Sequence, residues 1–97
     1  MIISFRDKET EDIFDGNGNA RARRRLPEQL WSMARRKLDA LNSAPRLEAL
    51  RSPPGNYLEA LKDDRAGQHS IRINKQYRVC FVWTDAGPEN VEVTDYH

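Results

Sequence analysis

The feature that most constrains the fold is a pair of strand-like runs, residues 70–73 and 77–83, joined by residues 74–76. A two-residue loop would mix apolar and charged side chains on both faces of this hairpin. A three-residue loop gathers the apolar side chains on one face, which then consists of Ile71, Ile73, Tyr77, Val79 and Phe81. Because a slip of one residue turns the whole apolar set to the other face, burial favours the three-residue loop.

That register places Arg72 directly opposite Arg78 on the second face. The stretch 65–84 has no acidic residue. Its basic residues are Arg65, Arg72, Lys75 and Arg78. Facing like charges destabilise a sheet by a few tenths to about 1 kcal/mol, a cost that a bridging anion removes. Because two arginines grip a phosphate through bidentate hydrogen bonds, we predict a polyanion-binding face. The alternative is that each arginine pairs with a carboxylate such as Glu59 or Glu92.

The remaining segments predict an α+β domain. Asp7 is a suitable N-cap for a short first helix. A second helix is expected from Leu26-Pro27 to about Asn42. Strands are predicted at residues 2–5, 57–61, 69–73, 77–84 and 90–96. The order β-α-α-β-β-β-β is typical of two N-terminal helices packed on one face of a small antiparallel sheet.

Residues 16–25 are expected to form a mobile loop within a single domain of residues 1–97. Gly16 to Asn19 is a strong break, and Asn19 to Arg25 has no apolar residue larger than alanine. Residues 21–51 carry nine basic and three acidic side chains, so the net charge of +1 hides a local positive region. For Arg23, Arg24 and Arg25, contact with a polyanion such as RNA stands beside a plain solvated loop.

Composition restricts the class of protein. A chain of 97 residues with 32% charged and 38% hydrophobic residues fits one small globular domain. Neither a membrane-spanning apolar run nor the apolar segment of a signal peptide is present, so we expect a cytoplasmic protein without membrane contact. The lone Cys80 lies in a strand-like run and is predicted to be buried and inert.

The chain ends on groups suited to proton transfer, namely Asp95, Tyr96 and His97. No His, Cys or Asp cluster has the spacing of metal ligands, so the sequence predicts neither a metal nor another cofactor. If the arginine-bearing hairpin binds RNA, the imidazole is a candidate acid or base, and the phenol is suited to stacking or to donating its hydroxyl. Asp95 would orient the imidazole or cap the strand end.

The run GQHSIRINKQYRVCFVW at residues 67–83, with VEVTDYH at 91–97, resembles the HigB branch of the RelE/ParE superfamily of bacterial toxins. The segments PPGNYLEALK at residues 53–62 and MIISF at 1–5 are similar to that family too. The resemblance implies a RelE-like antiparallel sheet. It also implies a ribosome-dependent endoribonuclease that cuts mRNA in the A site. The implied partner is a HigA-type helix-turn-helix antitoxin, through which alone operator DNA would be bound.

The resemblance also implies residue roles. Arg78 matches the sheet arginine that contacts the scissile phosphate, and Lys62 matches a basic residue at the edge of the active site. The residues matching the C-terminal catalytic cluster are Asp95, Tyr96 and His97. The chain departs from the pattern at Glu59, where some relatives carry histidine, and at Asn74, where some carry arginine. Both His97 and Glu59 therefore stay open as the general base.

Two other functions are consistent with the same residues. ParE-type members share the fold but act on DNA gyrase, and a shared fold does not fix the chemistry. A plain RNA-binding module would use the face of Arg72 and Arg78 without cleavage. The C-terminal triplet favours the nuclease over both.

Overall fold

The computed structural model describes residues 1–95. It has three helices, α1 (Lys8–Asp15), α2 (Ala20–Arg25) and α3 (Trp31–Ser43), and single 3-10 turns at Glu28–Leu30, Leu47–Arg51, Pro54–Asn56 and Asp63–Arg65. The strands are β1 (Glu59–Ala60), β2 (His69–Arg72), β3 (Arg78–Thr84) and β4 (Gly87–Thr94), and the turn at Asp63–Arg65 lies between β1 and β2. They form one antiparallel sheet in the order β1-β2-β3-β4. The predicted α+β class with helices and a small antiparallel sheet is confirmed.

The predicted first strand is not a regular strand. The backbone N–H of Ile3 donates to the carbonyl of Pro88 at 2.8 Å, and Val91 N–H donates to Ser4 O at 3.0 Å. Only Phe5 forms a β-bridge, a parallel one with Val91. The ladder cannot extend because Pro88 has no N–H to donate and because Asn90, at φ 52°, turns the outer edge of β4 away from strand geometry.

Helix α1 begins and ends as its sequence predicts. The Asp7 carboxylate accepts a hydrogen bond from Thr10 N–H at 2.8 Å, which satisfies one of the free donors of the first turn. Gly16 ends the helix in the left-handed conformation at φ 80°, and its N–H reaches back to the carbonyls of Asp12 and Ile13. Ile13 is the buried apolar residue of this short helix.

Residues 20–25, predicted to belong to a loop, form helix α2 instead. Asn19 caps it by accepting from Ala22 N–H at 2.8 Å. Its side-chain amide also donates to the Asp12 carboxylate at 3.0 Å and so ties α2 to α1. Ala22 is fully buried, because at this position a methyl group is enough to fill the space against neighbouring elements. The prediction of a loop at residues 16–25 is therefore wrong for residues 20–25.

The second predicted helix starts later than its proline signal indicates. Pro27 precedes a 3-10 turn, and α3 begins only at Trp31. The indole N–H of Trp31 donates to Leu26 O at 2.9 Å, and the indole approaches Gly18 so closely that a Cβ there would lie 2.8 Å from the ring. Met33 lies outside the buried side of this helix and is 38% exposed. Helix α3 buries instead a stripe of Trp31, Ala34, Leu38 and Leu41.

The predicted hairpin register is confirmed, with Ile71 opposite Val79 and Arg72 opposite Arg78. The Asn74 side chain accepts hydrogen bonds from the N–H groups of Gln76 and Tyr77 and so closes the loop. Helices α1 and α3 pack on the apolar face. The buried sheet residues of the core are Ile71, Ile73, Val79, Phe81, Val91 and Val93.

Candidate nucleic-acid interface

The hairpin brings two arginines side by side on the sheet face opposite the core. Arg72 lies across from Arg78, and Arg78 lies across from Thr94 on β4. All three are partly exposed, and we call this surface, formed by Arg72, Arg78 and Thr94, the arginine face. Because Asp95 directly follows Thr94, the C-terminal end of β4 lies alongside Arg78. The alternation of side chains along strands thus gathers positive charge beside the predicted catalytic tail.

Arg72 is held by an aromatic ring. Its guanidinium carbon lies 4.0 Å from the centroid of the Tyr57 ring, within the range of a cation–π contact. Within residues 1–95, no carboxylate lies within ion-pair distance of Arg72, and its buried Nε has no hydrogen-bond partner. The alternative that Arg72 pairs with Glu59 or Glu92 is therefore wrong. An arginine held by stacking keeps hydrogen-bond donors for an incoming anion.

Glu92 is engaged by other arginines. Its carboxylate, with the side chain only 10% exposed, lies 3.1 Å from Arg65, 3.8 Å from Arg6 and 3.9 Å from Arg25. Arg25 also pairs with Asp7 at 3.1 Å. These contacts join α1, α2, β4 and the 3-10 turn at residues 63–65. They give Arg25 and Arg65, which the sequence predicts as RNA contacts, a role within the protein.

Cys80 lies under this ion-pair cluster on the same sheet face. It is paired with Glu92 across the strands and is 1% exposed. Burial raises the pKa of its thiol to about 11, because a thiolate is poorly solvated there. The prediction that Cys80 is buried is confirmed.

Glu59 and Lys62 line an open depression beside the short edge strand β1. Its volume is about 680 Å³, and its other charged lining residues are Asp63, Asp64 and Arg65. Both Glu59 and Lys62 are exposed. The acidic side chains outnumber the basic ones here, so this depression is a less favourable phosphate site than the arginine face.

The hairpin loop holds the beginning of the C-terminal tail. The Gln76 side-chain amide donates to the Asp95 carboxylate at 2.8 Å, and Lys75 is exposed in the same loop. Of the predicted catalytic cluster, Asp95 is therefore near the arginine hairpin. Tyr96 and His97 lie outside the described residues.

Arg23 and Arg24 are exposed on α2, in contrast to the half-buried Arg25. Basic residues in the last turn also suit the negative end of the helix dipole, which gives them a structural reason to be there. In the described part of the chain, no group of His, Cys, Asp and Glu side chains is arranged to hold a metal ion. No helix within residues 1–95 is long and apolar enough to cross a membrane.

A family model described as a HigB-like toxin, the RelE-like toxin of the HigB type II toxin–antitoxin system, matches residues 3–97. The chain belongs to this family. A relative named Toxin HigB-1, from Vibrio cholerae serotype O1, is 38% identical over 85 residues, covering 88% of this chain and 86% of the relative. An uncharacterized protein from Haemophilus influenzae is 37% identical over 73 residues, covering 75% and 67% of the two chains. The chain is thus a HigB-like toxin of a type II toxin–antitoxin system.

The fold has a solved counterpart. The YoeB–YefM complex from Staphylococcus aureus contains a chain that superposes with a TM-score of 0.60, covering 100% of this chain and 95% of that chain. Sequence identity is 14%, so this likeness concerns the fold alone. It supports the HigB-like toxin as a RelE-type fold.

Sequence reasoning missed the residue that holds Arg72. Tyr57 was expected to begin a strand, but it adopts the left-handed conformation at φ 47° and ψ 54°, and β1 starts only at Glu59. The preceding Pro-Pro-Gly-Asn break was the available signal, since such segments often end in unusual backbone angles. Its contact with Arg72 depends on how the segment before β1 packs against β2, which no local sequence pattern predicts.

Proposed function

We propose that this HigB-like toxin is a ribosome-dependent endoribonuclease that cuts mRNA in the ribosomal A site and thereby stops translation. The observation that carries the proposal is the pairing of Arg72 with Arg78 on one sheet face, beside the end of β4. Two adjacent guanidinium groups match the charge of a phosphate that becomes more negative during cleavage. Membership of a RelE-like toxin family adds support.

Cleavage would proceed by attack of the 2′-hydroxyl on the adjacent phosphate. A base on the protein takes the hydroxyl proton, the new bond to phosphorus forms, and the 5′-oxygen leaves with a proton from an acid. Arg78 and Arg72 stabilise the phosphate, and Lys62 adds positive charge from the edge of the sheet. Lys75, in the hairpin loop, is suited to a neighbouring phosphate of the same strand.

His97 and Glu59 are the two candidates for the general base. Glu59 is exposed at the edge strand, opposite Ser70 on β2. Asp95 would orient the imidazole of His97, and Tyr96 would stack on a base or donate its hydroxyl. Comparing Glu59→Gln with His97→Asn separates the two, because loss of the base abolishes the acidic limb of the pH–rate profile, where the rate rises as the base loses its proton.

The partner we propose is a helix-turn-helix antitoxin of the HigA type, which would neutralise the toxin and carry operator DNA binding for the pair. The family is defined by its toxin–antitoxin system, and the solved structural neighbour is named as a complex of YoeB with YefM. The exposed Arg23 and Arg24 are candidate contacts for that antitoxin or for rRNA. The proposed site of action is the cytoplasm.

The test compares expression of the wild type with Arg78→Ala, a His97 deletion and the control Arg36→Ala, which removes an exposed arginine of α3. Growth arrest with mRNA cut at codon boundaries is expected for the wild type and the control only. Loss of one stabilising group at the phosphate should lower the cleavage rate on the order of 10²–10³-fold.

Each alternative has its own outcome. Arrest with poisoned DNA gyrase and intact mRNA would refute the nuclease in favour of a ParE-like activity. RNA binding without cleavage by the wild type would indicate a plain binding module. Cleavage of free RNA in the absence of ribosomes would contradict the ribosome-dependent part of the proposal.

A further inference from the structure

Tyr57 is an exposed aromatic residue with an unfavourable backbone conformation. Its side chain is 56% exposed, so the ring contributes little to the core. Its backbone is left-handed at φ 47°, a region that a bulky residue seldom occupies and that glycine occupies freely. Strained backbone at an exposed aromatic residue is more common at functional sites than elsewhere. The position therefore calls for a reason other than stability.

The ring of Tyr57 joins two surfaces. On one side it carries the guanidinium of Arg72, 4.0 Å from the ring centroid, at the edge of the arginine face. It also lines an open depression of about 520 Å³ formed with Leu47, Pro54, Leu58 and Arg51. This space is large enough for a nucleobase, and its polar lining residues are the exposed Arg51 and Glu48 and the half-buried His69. A strand of RNA held by phosphate on Arg72 would pass directly over the ring.

We infer that Tyr57 is a stacking platform for one base of single-stranded RNA, next to the phosphate held by Arg72 and Arg78. This inference rests on the proposed function and names a further RNA-binding residue for it. The base lies over the Tyr57 ring and enters the depression, and Arg51 at the rim contacts the following phosphate. An aromatic ring accepts any base by stacking.

The physical pattern is one that RNA-binding proteins use. RNA is read in single-stranded form, with bases stacked on aromatic rings or guanidinium planes. In this arrangement the guanidinium of Arg72 stacks on one face of the Tyr57 ring and the base stacks on the other face. Replacing a stacking aromatic residue typically weakens binding roughly 5- to 150-fold.

Two variants of Tyr57 separate the effect of the ring from the effect of its hydroxyl. Tyr57→Gly removes the ring at a position whose φ of 47° glycine adopts without strain, so this variant should fold at least as readily as the wild type. Tyr57→Phe keeps the ring and removes only the hydroxyl. Met33→Ala, which truncates an exposed apolar side chain on α3, is the matched control. Urea unfolding of each purified variant confirms that folding is not the cause of any effect.

The measurement uses ribosomes carrying an mRNA with 2-aminopurine in the A-site codon and 2′-O-methyl riboses that block cleavage. Wild type, Tyr57→Phe and the control should quench the fluorescence on binding, since a stacked 2-aminopurine emits weakly. Tyr57→Gly should bind roughly 5- to 150-fold more weakly and leave the probe unquenched. Unchanged affinity and quenching for folded Tyr57→Gly would overturn the inference.

A second arm separates stacking from mere positioning of Arg72. If the ring contacts the base directly, Tyr57→Gly lowers affinity also in an Arg72→Ala background. If the ring acts only by holding Arg72, the glycine variant has no further effect there, and the inference is overturned. An effect on antitoxin affinity without one on RNA would likewise overturn it in favour of a protein contact.

The two proposals fail in different ways. The proposed function itself fails if the wild type does not bind the programmed ribosome and does not cleave an mRNA that lacks the 2′-O-methyl riboses. If wild type cleaves as proposed and Tyr57→Gly cleaves the same codons at the same rate, only the stacking platform is refuted.

Discussion

Asn56 should be the most sensitive polar residue outside the apolar core. It is 1% exposed and lies in the 3-10 turn just before Tyr57. Its amide group donates to the carbonyls of Leu50 at 3.1 Å and Ser52 at 3.2 Å. Its oxygen accepts from the Lys37 ammonium at 2.5 Å. These bonds tie two irregular turns to helix α3, so the Asn56→Ala substitution removes all of them at once.

The expected loss follows from these three contacts. A neutral hydrogen bond contributes about 1 kcal/mol net, and one to a charged group about 1.5–3 kcal/mol. We take the lower end for the Lys37 bond, because that side chain is partly exposed and water replaces some of the interaction. The free energy of unfolding should therefore fall by about 3.5 kcal/mol. A domain of this size typically has about 5–15 kcal/mol, so the variant should still fold.

Urea denaturation followed by tryptophan fluorescence measures this loss, and the thermal midpoint should fall by about 14–28 °C. Asn17→Ala is the control, since Asn17 is an exposed asparagine whose loss should change stability by less than about 0.5 kcal/mol. Lys37→Met in both backgrounds isolates the charged bond, and the two losses should be non-additive. A drop below about 1 kcal/mol for Asn56→Ala would refute the reasoning, because it would mean that water replaces the amide without cost.

Two further predictions concern titratable groups. Cys80 should react with thiol reagents only through opening of the fold, because it is buried. In addition, its pKa of about 11 leaves about 100-fold less thiolate at pH 8 than the ordinary value of 9.0. Rapid labelling of the folded protein would contradict this prediction. The hydrogen bond from Asn19, with Lys8 and Arg21 nearby, lowers the pKa of Asp12 below its usual 3.8, so its contribution is complete above about pH 4 and is lost as the pH falls through the lowered value. Urea midpoints between pH 2.5 and 7 should thus show a weaker acid dependence for Asp12→Asn than for wild type, and identical profiles would refute the assignment.

The hairpin shows how far the sequence alone can lead. Alternation of apolar and charged residues has only one register that buries the apolar set, so the pairing of Arg72 with Arg78 follows from the pattern. The cap at Asp7 and the break at Gly16 follow from equally local chemistry. Such features are predictable because each depends on residues that are near in sequence or on a strict period of two.

Helix α2 and the edge of β4 were decided by contacts that a local pattern does not contain. Ala22 is buried only because α1 and the following segment surround it, and Asn19 reaches the Asp12 side chain of another helix. At the N-terminus, Pro88 and Asn90 prevent the segment at residues 2–5 from joining as a regular strand. In each case a neighbour distant in sequence overrode the local preference.

The sequence by itself determined the class of fold, the hairpin register and the two arginines that face each other, because burial of one apolar face permits a single arrangement. Only the tertiary structure decided which of the arginines in the chain meet which carboxylates. It gave Glu92 to Arg65, Arg25 and Arg6, and it placed Tyr57 under Arg72. A sequence offers each charged side chain many oppositely charged residues as possible partners. Which of them form an ion pair depends on the distances between the charged groups, and these distances are set only in the folded protein.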